Sequence, residues 1–383
     1  MDQRTTKILF PLLRSAICGT KLTEDERRMY SSEILQELLK LSARHDISHL
    51  VVLGLKKNDL ISRENAGIEQ FIFKAAYRHE RMQYEYNNIC NALETAEIPF
   101  LPLKGSILRN YYPEPWMRTS CDIDILVKNV DDAVKMLKEK DYVYKGKGSH
   151  DVQFRSPLGF AIELHFQLIE TNEKMNSVLD RVWSNASLKD GSAYHYIMDP
   201  EMFYFYHIAH MAKHFLFGGF GIRSIIDTWL WNEKTVCNEE KKNRLLQEGG
   251  LQVFAKEVER LSRAWFAEEE CDLLLQEFES FILEGGVFGS KSNAVKIYRT
   301  STDSTLHFLL LRIFMPYSRM LLKYPVLKRY PFLLPVFWIR RWIAMLTKSE
   351  KAMNAMHELD LNNNLSNHSI AKTKWILQEL ELA

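Results

Sequence analysis

The chain has 383 residues, which is enough for two or three domains and a sizeable core. It is 46% hydrophobic and 26% charged, an ordinary globular balance, and its net charge of +1 gives no bulk electrostatic reason to expect a polynucleotide partner. Five widely spaced cysteines, no signal-peptide pattern and no apolar run of about 20 residues predict a cytoplasmic protein that does not cross a membrane.

The first 96 residues predict a helical region. Apolar residues at helical spacing indicate short amphipathic helices near residues 8–17, 34–41 and 47–55, followed by a long helix over about 64–96. His45 and His49 are four residues apart, but no third ligand type accompanies them, so we expect helix-end and surface positions for both.

The segment 122–127, which reads DIDILV, carries the clearest chemical signal in the chain. Its period-two alternation of apolar residues predicts a strand with one buried face. Residues two apart on a strand point the same way, so Asp122 and Asp124 project side by side. Two carboxylates held this close repel each other unless a cation lies between them, and oxygen ligands favour Mg²⁺ or Mn²⁺.

Two further segments supply the other parts of a nucleotide site. In Lys104-Gly105-Ser106, the glycine lets backbone amides approach a phosphate and the serine adds a hydroxyl donor. A later segment reading FAIELHF predicts a second half-buried strand, with Glu163 and His165 on its polar face. A Gly-Ser turn, a strand with paired aspartates and a third carboxylate are the parts of a two-metal nucleotidyl-transfer site.

These motifs resemble the nucleotidyltransferase superfamily that includes DNA polymerase β and the aminoglycoside nucleotidyltransferases. A bacterial branch of largely uncharacterised nucleotidyltransferases is more similar still. The matching positions are Leu103-Lys104-Gly105, Tyr112, Arg118, 122–127, Glu163-Leu164-His165, His207, His210, His214 and Asp227. Lys104 is typical of the branch rather than of the superfamily, and the spacing from Ser106 to Asp122 is longer than the superfamily's usual one.

The prediction is an enzyme that moves a nucleoside monophosphate from a nucleoside triphosphate, ATP included, to an acceptor hydroxyl with release of pyrophosphate. Asp122 and Asp124 would bridge two Mg²⁺ ions, with Mn²⁺ as a substitute, and Glu163 would complete the acceptor-side ion's shell. Gly105 and Ser106 would hold phosphate oxygens.

Other roles stay open. Lys104 either places its charge on the phosphates or forms a salt bridge with a nearby carboxylate, and Arg118 either clamps phosphate or orients the aspartates. A small-molecule acceptor is favoured. The alternative function is a catalytically silent nucleotide-binding module, against which the three carboxylates argue.

Beyond residue 200 the sequence predicts helices alone. His207, His210 and His214 fall on one face of a helix over about 202–217, and with His165 we expect them to line the catalytic cleft rather than bind zinc. Asp227 is the expected hydrogen-bond partner of one of these histidines. Residues 285–304 are expected to form a loop.

The segment 306–346 combines many aromatic residues with seven arginines and lysines and has no acidic residue. Pro316, Pro325, Pro331 and Pro335 are expected to cut it into short helices that cannot cross a bilayer. Two interpretations remain: helices packed on the preceding domain with basic stems along the surface, or weak contact with an anionic membrane or an acidic partner.

Together these features predict an α+β chain whose catalytic part is an α/β core. Its regions would be N-terminal helices at 1–96, a nucleotidyltransferase core with a small mixed sheet at 97–190, and a large C-terminal helical domain at 191–383.

Overall fold

The computed structural model describes residues 3–62, 67–302, 310–311, 313–317, 320–321, 324–347, 357 and 360–383. Its helices are α1 Gln3–Cys18, α2 Glu24–Met29, α3 Ser32–Arg44, α4 Ser48–Lys57, α5 Gln70–Thr95, α6 Gly105–Leu108, α7 Val130–Glu139, α8 Glu173–Leu179, α9 Pro200–Leu216, α10 Ile222–Lys234, α11 Glu239–Gly249, α12 Gln252–Phe266, α13 Leu273–Glu284, α14 Lys291–Thr300, α15 Leu334–Thr347 and α16 Asn367–Glu379. Its strands are β1 Phe100–Pro102, β2 Asp122–Val127, β3 Val143–Lys147, β4 Asp151–Arg155, β5 Ala161–His165, β6 Ala186–Leu188 and β7 Tyr196–Met198. The predicted α+β class is confirmed.

Five strands form one mixed sheet in the order β1-β2-β5-β4-β3. Strands β2 and β5 are parallel, and the other neighbours are antiparallel. The register places Asp124 opposite Glu163 and Asp122 opposite Ala161. Strands β4 and β5 form a hairpin, closed by the hydrogen bond from the amide of Ser156 to the carbonyl of Phe160. The acidic residues therefore lie on adjacent central strands.

The alternation along β2 separates two hydrophobic cores. Ile123, Ile125 and Val127 pack with α5 and α7 on one face of the sheet. Leu126 points to the other face, where the core extends through the N-terminal helices and α9 to α13. Helix α9 lies at the centre of this second core, and most of its residues are buried. The sheet's acidic face is thus covered by helices that come from both ends of the chain.

Several elements differ from the sequence predictions. Strand β3 was not predicted because its residues are largely exposed and lack an apolar alternation. The two-stranded sheet of β6 and β7 was also missed.

The prediction of a loop over 285–304 is wrong, because α14 lies within it. The side chain of Ser290 caps this helix, and buried Asn293 donates to the carbonyl of Phe281. Pro335 lies in the first turn of α15, where its missing N–H costs nothing, so a new helix starts at this proline as predicted.

His45 and His49 are buried rather than on the surface. Among the helices of the described ranges, none combines the length and apolarity that a membrane crossing requires.

Candidate active site

A cavity of about 320 Å³ lies between the acidic face of β2 and β5 and the helices α9 and α10. Its sheet side carries Asp122, Asp124, Glu163 and His165. These side chains point the same way because residues two apart on a strand share a face. The parallel pairing of β2 and β5 then places the two acidic rows side by side.

Three of these side chains converge closely. One ligand atom each from Asp124, Glu163 and His165 lies within 4.8 Å of the others. Nε2 of His165 is 3.1 Å from Oδ1 of Asp124 and 3.6 Å from Oε2 of Glu163. Asp122 lines the same cavity but lies outside this group. The sequence placed His165 in the cleft, whereas the structure gives it direct contact with the carboxylates.

The carboxylates affect one another's ionisation. Burial, and then the charge of Asp124, raises the pKa of Glu163 to about 7. The same two causes raise the pKa of Asp122. Burial also disfavours the charged form of Asp124, but Lys104 and His165 outweigh it and lower the pKa of that carboxyl. The site therefore holds more negative charge than its own cations neutralise.

Lys104 is the cation nearest to the carboxylates. Its Nζ is 3.4 Å from Oδ2 of Asp124, and despite burial the charge of Asp124 raises the pKa of the lysine. The amide of Leu103 donates to the carbonyl of Asp124 at 3.0 Å, which holds the turn against β2. Lys104 itself has φ of 42°, a strained conformation for a residue with a side chain. The salt-bridge alternative is the contact seen here, and the phosphate role stays a prediction.

Gly105 and Ser106 occupy different positions. Gly105 lines the cavity, and a β-carbon there would lie 2.6 Å from Nη1 of Arg118 and 2.5 Å from Oγ of Ser120. Glycine is thus required by the close approach of Arg118. Ser106 is buried and is not among the residues that line the cavity.

Arg118 makes a bidentate ion pair with Asp227 on α10. Its Nε and Nη2 donate to the two carboxylate oxygens at 2.8 Å each, and both side chains are buried. The hydroxyl of Tyr112 also donates to Asp227, at 2.9 Å. The predicted hydrogen bond from Asp227 to a histidine is therefore wrong: His207 pairs instead with Oγ1 of Thr228 at 3.0 Å. The ion pair fixes the loop before β2 to the C-terminal helices.

The three predicted histidines of α9 all line the cavity. Nδ1 of His210 is 3.3 Å from Oε1 of Glu170, and Nε2 of His214 is 2.8 Å from Nε2 of His210. Burial, followed by the charge of Lys104, lowers the pKa of His210 and brings that of His214 to about 4. The helix therefore presents neutral imidazoles opposite the acidic strands.

No sequence pattern pointed to Glu170, which lies 3.3 Å from both His210 and Lys213. Tyr206 was also missed, although its position one helical turn before His210 on α9 was a usable signal. Its side chain hydrogen-bonds to Lys104.

The donor set fits a divalent cation. Two carboxylates and an imidazole with ligand atoms within 4.8 Å are common metal donors, and a cation among them would offset the like charge of Asp124 that, after burial, raises the pKa of Glu163. Nδ1 of His165 has no hydrogen-bond partner among the described residues, so the hydrogen bonding of the ring is through Nε2. Binding a metal through Nε2 would replace the proton that this atom now shares with Asp124.

A small mixed sheet that presents paired aspartates and a glutamate from adjacent strands, next to a glycine turn, defines a protein of the nucleotidyltransferase type. The family model described as "Uncharacterised nucleotidyltransferase" matches residues 31–267, more than half of the chain, and the chain belongs to this family. Searches of curated proteins and of solved structures found no match. The superfamily resemblance is thus confirmed, and the bacterial branch stays a prediction.

Proposed function

We propose that the protein is a divalent-metal-dependent nucleotidyltransferase that transfers a nucleoside monophosphate from a nucleoside triphosphate to an acceptor hydroxyl. The observation that carries this proposal is the convergence of Asp124, Glu163 and His165, with Asp122 beside them, in one cavity. Membership of the nucleotidyltransferase family supports the reaction class. The metal, the nucleotide and the turnover itself belong to the proposal.

In this reaction the acceptor oxygen forms a bond to the α-phosphorus while the bond from that phosphorus to the bridging oxygen of pyrophosphate breaks. Bound divalent ions, Mg²⁺ or Mn²⁺, would neutralise phosphate charge and lower the pKa of the acceptor hydroxyl. Asp122, Asp124 and Glu163 would hold them, together with Nε2 of His165. The acceptor's proton would pass to the carboxylate of Glu163, which would lie beside the acceptor-side ion.

Lys104 would have two roles in this mechanism, one as the counter-ion of Asp124 and one as a phosphate contact. Without nucleotide its ammonium neutralises Asp124 at 3.4 Å. With metal and nucleotide bound, we propose that the ammonium of Lys104 turns from Asp124 to a phosphate oxygen, because the lysine side chain is flexible. Arg118 keeps its two bonds to Asp227 and acts as a positioning residue for the segment that leads to Asp122.

The acceptor is proposed to be a small molecule. The cavity of about 320 Å³ lies at the lower end of the range for small-molecule sites.

Five free cysteines support a cytoplasmic setting.

The test is incubation of the full chain with each of four α-phosphate-labelled nucleoside triphosphates and Mg²⁺ or Mn²⁺, in a small-molecule cell extract. We expect metal-dependent release of pyrophosphate and transfer of label to one class of acceptor, identified by its mass increase. Asp122→Asn and Asp124→Asn should abolish both. Asp131→Asn, which changes an exposed aspartate of α7, is the matched control. Nucleotide binding without any transfer would instead support the silent module.

A further inference from the structure

Exposed large apolar side chains are concentrated at one place on the described surface. Nine of the twenty-one lie between residues 310 and 343, so this short region accounts for much of the exposed apolar area. They are Leu310, Ile313, Phe314, Val326, Tyr330, Phe332, Val336, Ile339 and Ile343. Apolar residues gathered in this way mark interaction sites more often than scattered ones do. The region lies outside residues 31–267, so the family match does not account for it.

Helix α15 has two different faces. On its inner face, the indole N–H of Trp338 donates to the carbonyl of Met315 at 2.8 Å, and that of Trp342 donates to the carbonyl of Ile313 at 2.9 Å. Both rings also contact Phe314 edge-on. These contacts fix the rotation of the helix about its axis.

A second face of α15, beside the one that carries the tryptophans, is an apolar stripe. Val336, Ile339 and Ile343 follow one another at spacings of three and four residues and are 56%, 51% and 55% exposed. Phe332, in the turn before the helix, is 74% exposed. The two indole hydrogen bonds oppose rotation of the helix about its axis, so the stripe stays exposed.

The charged residues of the segment that carries the stripe all have one sign. Lys328, Arg329 and Arg340 are exposed, and the whole segment 306–346 has seven basic residues and no acidic one. The chain's net charge is only +1, so this is a local cationic surface on an otherwise acidic protein. The guanidinium of Arg340 rests over the rings of Tyr324 and Phe337.

We infer that the surface formed by Phe332, Val336, Ile339 and Ile343 with Lys328, Arg329 and Arg340 binds the interface of an anionic phospholipid bilayer. Helix α15 lies parallel to the bilayer, its stripe enters the boundary between headgroups and acyl chains, and the basic residues contact lipid phosphates. An amphipathic helix with this arrangement has the features of interfacial binding. The protein would be a peripheral, reversible membrane binder.

Two other occupants fit less well. Pairing of two copies through the same surface would bring like charges, Arg340 included, close together about the two-fold axis. Nucleic acid would contact the basic residues through its phosphates. Its surface offers little apolar area to the aliphatic stripe. An anionic bilayer satisfies both the charge and the apolar side chains.

The experiment is sedimentation of the full chain with vesicles of phosphatidylcholine alone or with roughly a third phosphatidylglycerol, at about 0.05 M and about 0.5 M salt. We expect binding to the anionic vesicles at low salt, at least about tenfold weaker binding at high salt, and negligible binding to neutral vesicles. Equal and negligible binding to both would overturn the inference.

Ile339→Glu and Val336→Glu should each reduce vesicle binding at least about tenfold. Val236→Glu is the matched control, because Val236 is 94% exposed but lies between α10 and α11. Lys328→Gln, which cannot disturb the core because Lys328 is exposed, should weaken binding and flatten its salt dependence. Binding that Ile339→Glu and Lys328→Gln leave unchanged would contradict the proposal. So would a dimer, seen by light scattering, that Ile339→Glu converts to monomer.

Discussion

Lys104 and Glu163 respond in opposite ways to the charge of Asp124. The ammonium of Lys104 gains a partner at 3.4 Å, and its pKa rises, so it stays charged. The carboxyl of Glu163 gains a like charge on the next strand, and its pKa rises to about 7, so near neutral pH it is partly protonated. The metal-free site thus reduces its negative charge by a salt bridge and by a proton, and a divalent cation would compete with both.

The proton on Glu163 predicts a pH dependence of metal binding. A protonated carboxyl is a poor ligand, so affinity should be full above pH 7 and should fall as the pH drops through 7. Between about pH 8 and about pH 6 we expect the Mn²⁺ affinity to fall about tenfold. Calorimetric titration of the nucleotide-free protein with Mn²⁺ measures it. Glu163→Gln should bind more weakly and lose most of this dependence, whereas Glu139→Gln, at the exposed end of α7, should behave as the wild type.

Lys104→Gln separates the two roles of the lysine. Removing the ammonium leaves Asp124 free to bind a cation, so the affinity for Mn²⁺ alone should rise severalfold. If Lys104 also contacts phosphate, the affinity for the metal–triphosphate complex should fall by about tenfold. Parallel titrations with metal alone and with the complex distinguish the outcomes. A rise in both affinities would show that the lysine serves only as a counter-ion in the free site.

At the scale of elements, α10 and the loop before β2 are joined by one buried ion pair. Arg118 and Asp227 lie more than a hundred residues apart in sequence, and each is almost fully buried. Burial disfavours the ionised form of Asp227, but Arg118 outweighs it and lowers the pKa of the carboxyl. The intact pair adds little net stability, because burying two charges is costly. Removing one partner is strongly destabilising, because the other charge is then buried without a counter-charge.

Asp227→Asn should therefore destabilise the protein by about 3 kcal/mol, because it leaves the guanidinium of Arg118 buried without a counter-charge. Urea unfolding monitored by tryptophan fluorescence measures the change. Asp46→Asn is a suitable comparison, since Asp46 pairs with Arg223 at 3.2 Å but is 38% exposed. We expect Asp46→Asn to lose less than about 1 kcal/mol of stability, because Asp46 is partly exposed and because asparagine tolerates the positive φ of residue 46. Equal losses would show that burial does not set the strength of these pairs.

Which elements could be predicted depended on where their apolar side chains point. Strands β2 and β5 carry a clear period-two pattern because one face of each packs on α5 and α7. The same pattern placed Glu163 and His165 on one face. Strand β3 is largely exposed, so its sequence has no such pattern. Helix α14 resembled a loop because the buried side chain of Asn293 is polar, which the core accepts only because the carbonyl of Phe281 is available to it.

Contacts between distant elements could not be predicted from spacing. Asp227 was expected to pair with one of the three histidines of α9, yet its carboxylate accepts hydrogen bonds from Arg118 and Tyr112, which lie before β2. The salt bridge of Lys104 with Asp124 depends on the strained turn after β1, and no sequence pattern specifies a φ of 42° at a lysine.

At the scale of the whole molecule, the larger core joins the N-terminal helices to the helices after residue 200. Two buried histidines take part in this region. His45 lies just after α3, and its Nδ1 accepts a hydrogen bond from the amide of Ile222, at the start of α10, at 3.3 Å. His207 on α9 pairs with Thr228. Burial lowers the pKa of each imidazole to about 4, so both are neutral in the folded protein at pH 7.

This neutrality predicts that stability falls in mild acid. The unfolded chain binds a proton at His45 with a pKa near the ordinary value of 6.5, whereas the folded protein binds it only near 4. The unfolded state therefore holds more protons between these values, and the free energy of unfolding falls as the pH drops from about 6.5 towards 4. The contribution of His45 should reach about 2 kcal/mol near pH 5.

His45→Asn isolates this contribution. The amide oxygen of asparagine can accept the bond from Ile222 as Nδ1 does, but it does not titrate. Urea unfolding at about pH 7.5 and about pH 5 should show a smaller loss of stability on acidification in the variant, by about 2 kcal/mol, whatever its stability at neutral pH. An identical loss in both proteins would mean that His45 is protonated in the folded state as readily as in the unfolded chain. The amide of Ile222 would then not require the lone pair on Nδ1 of His45.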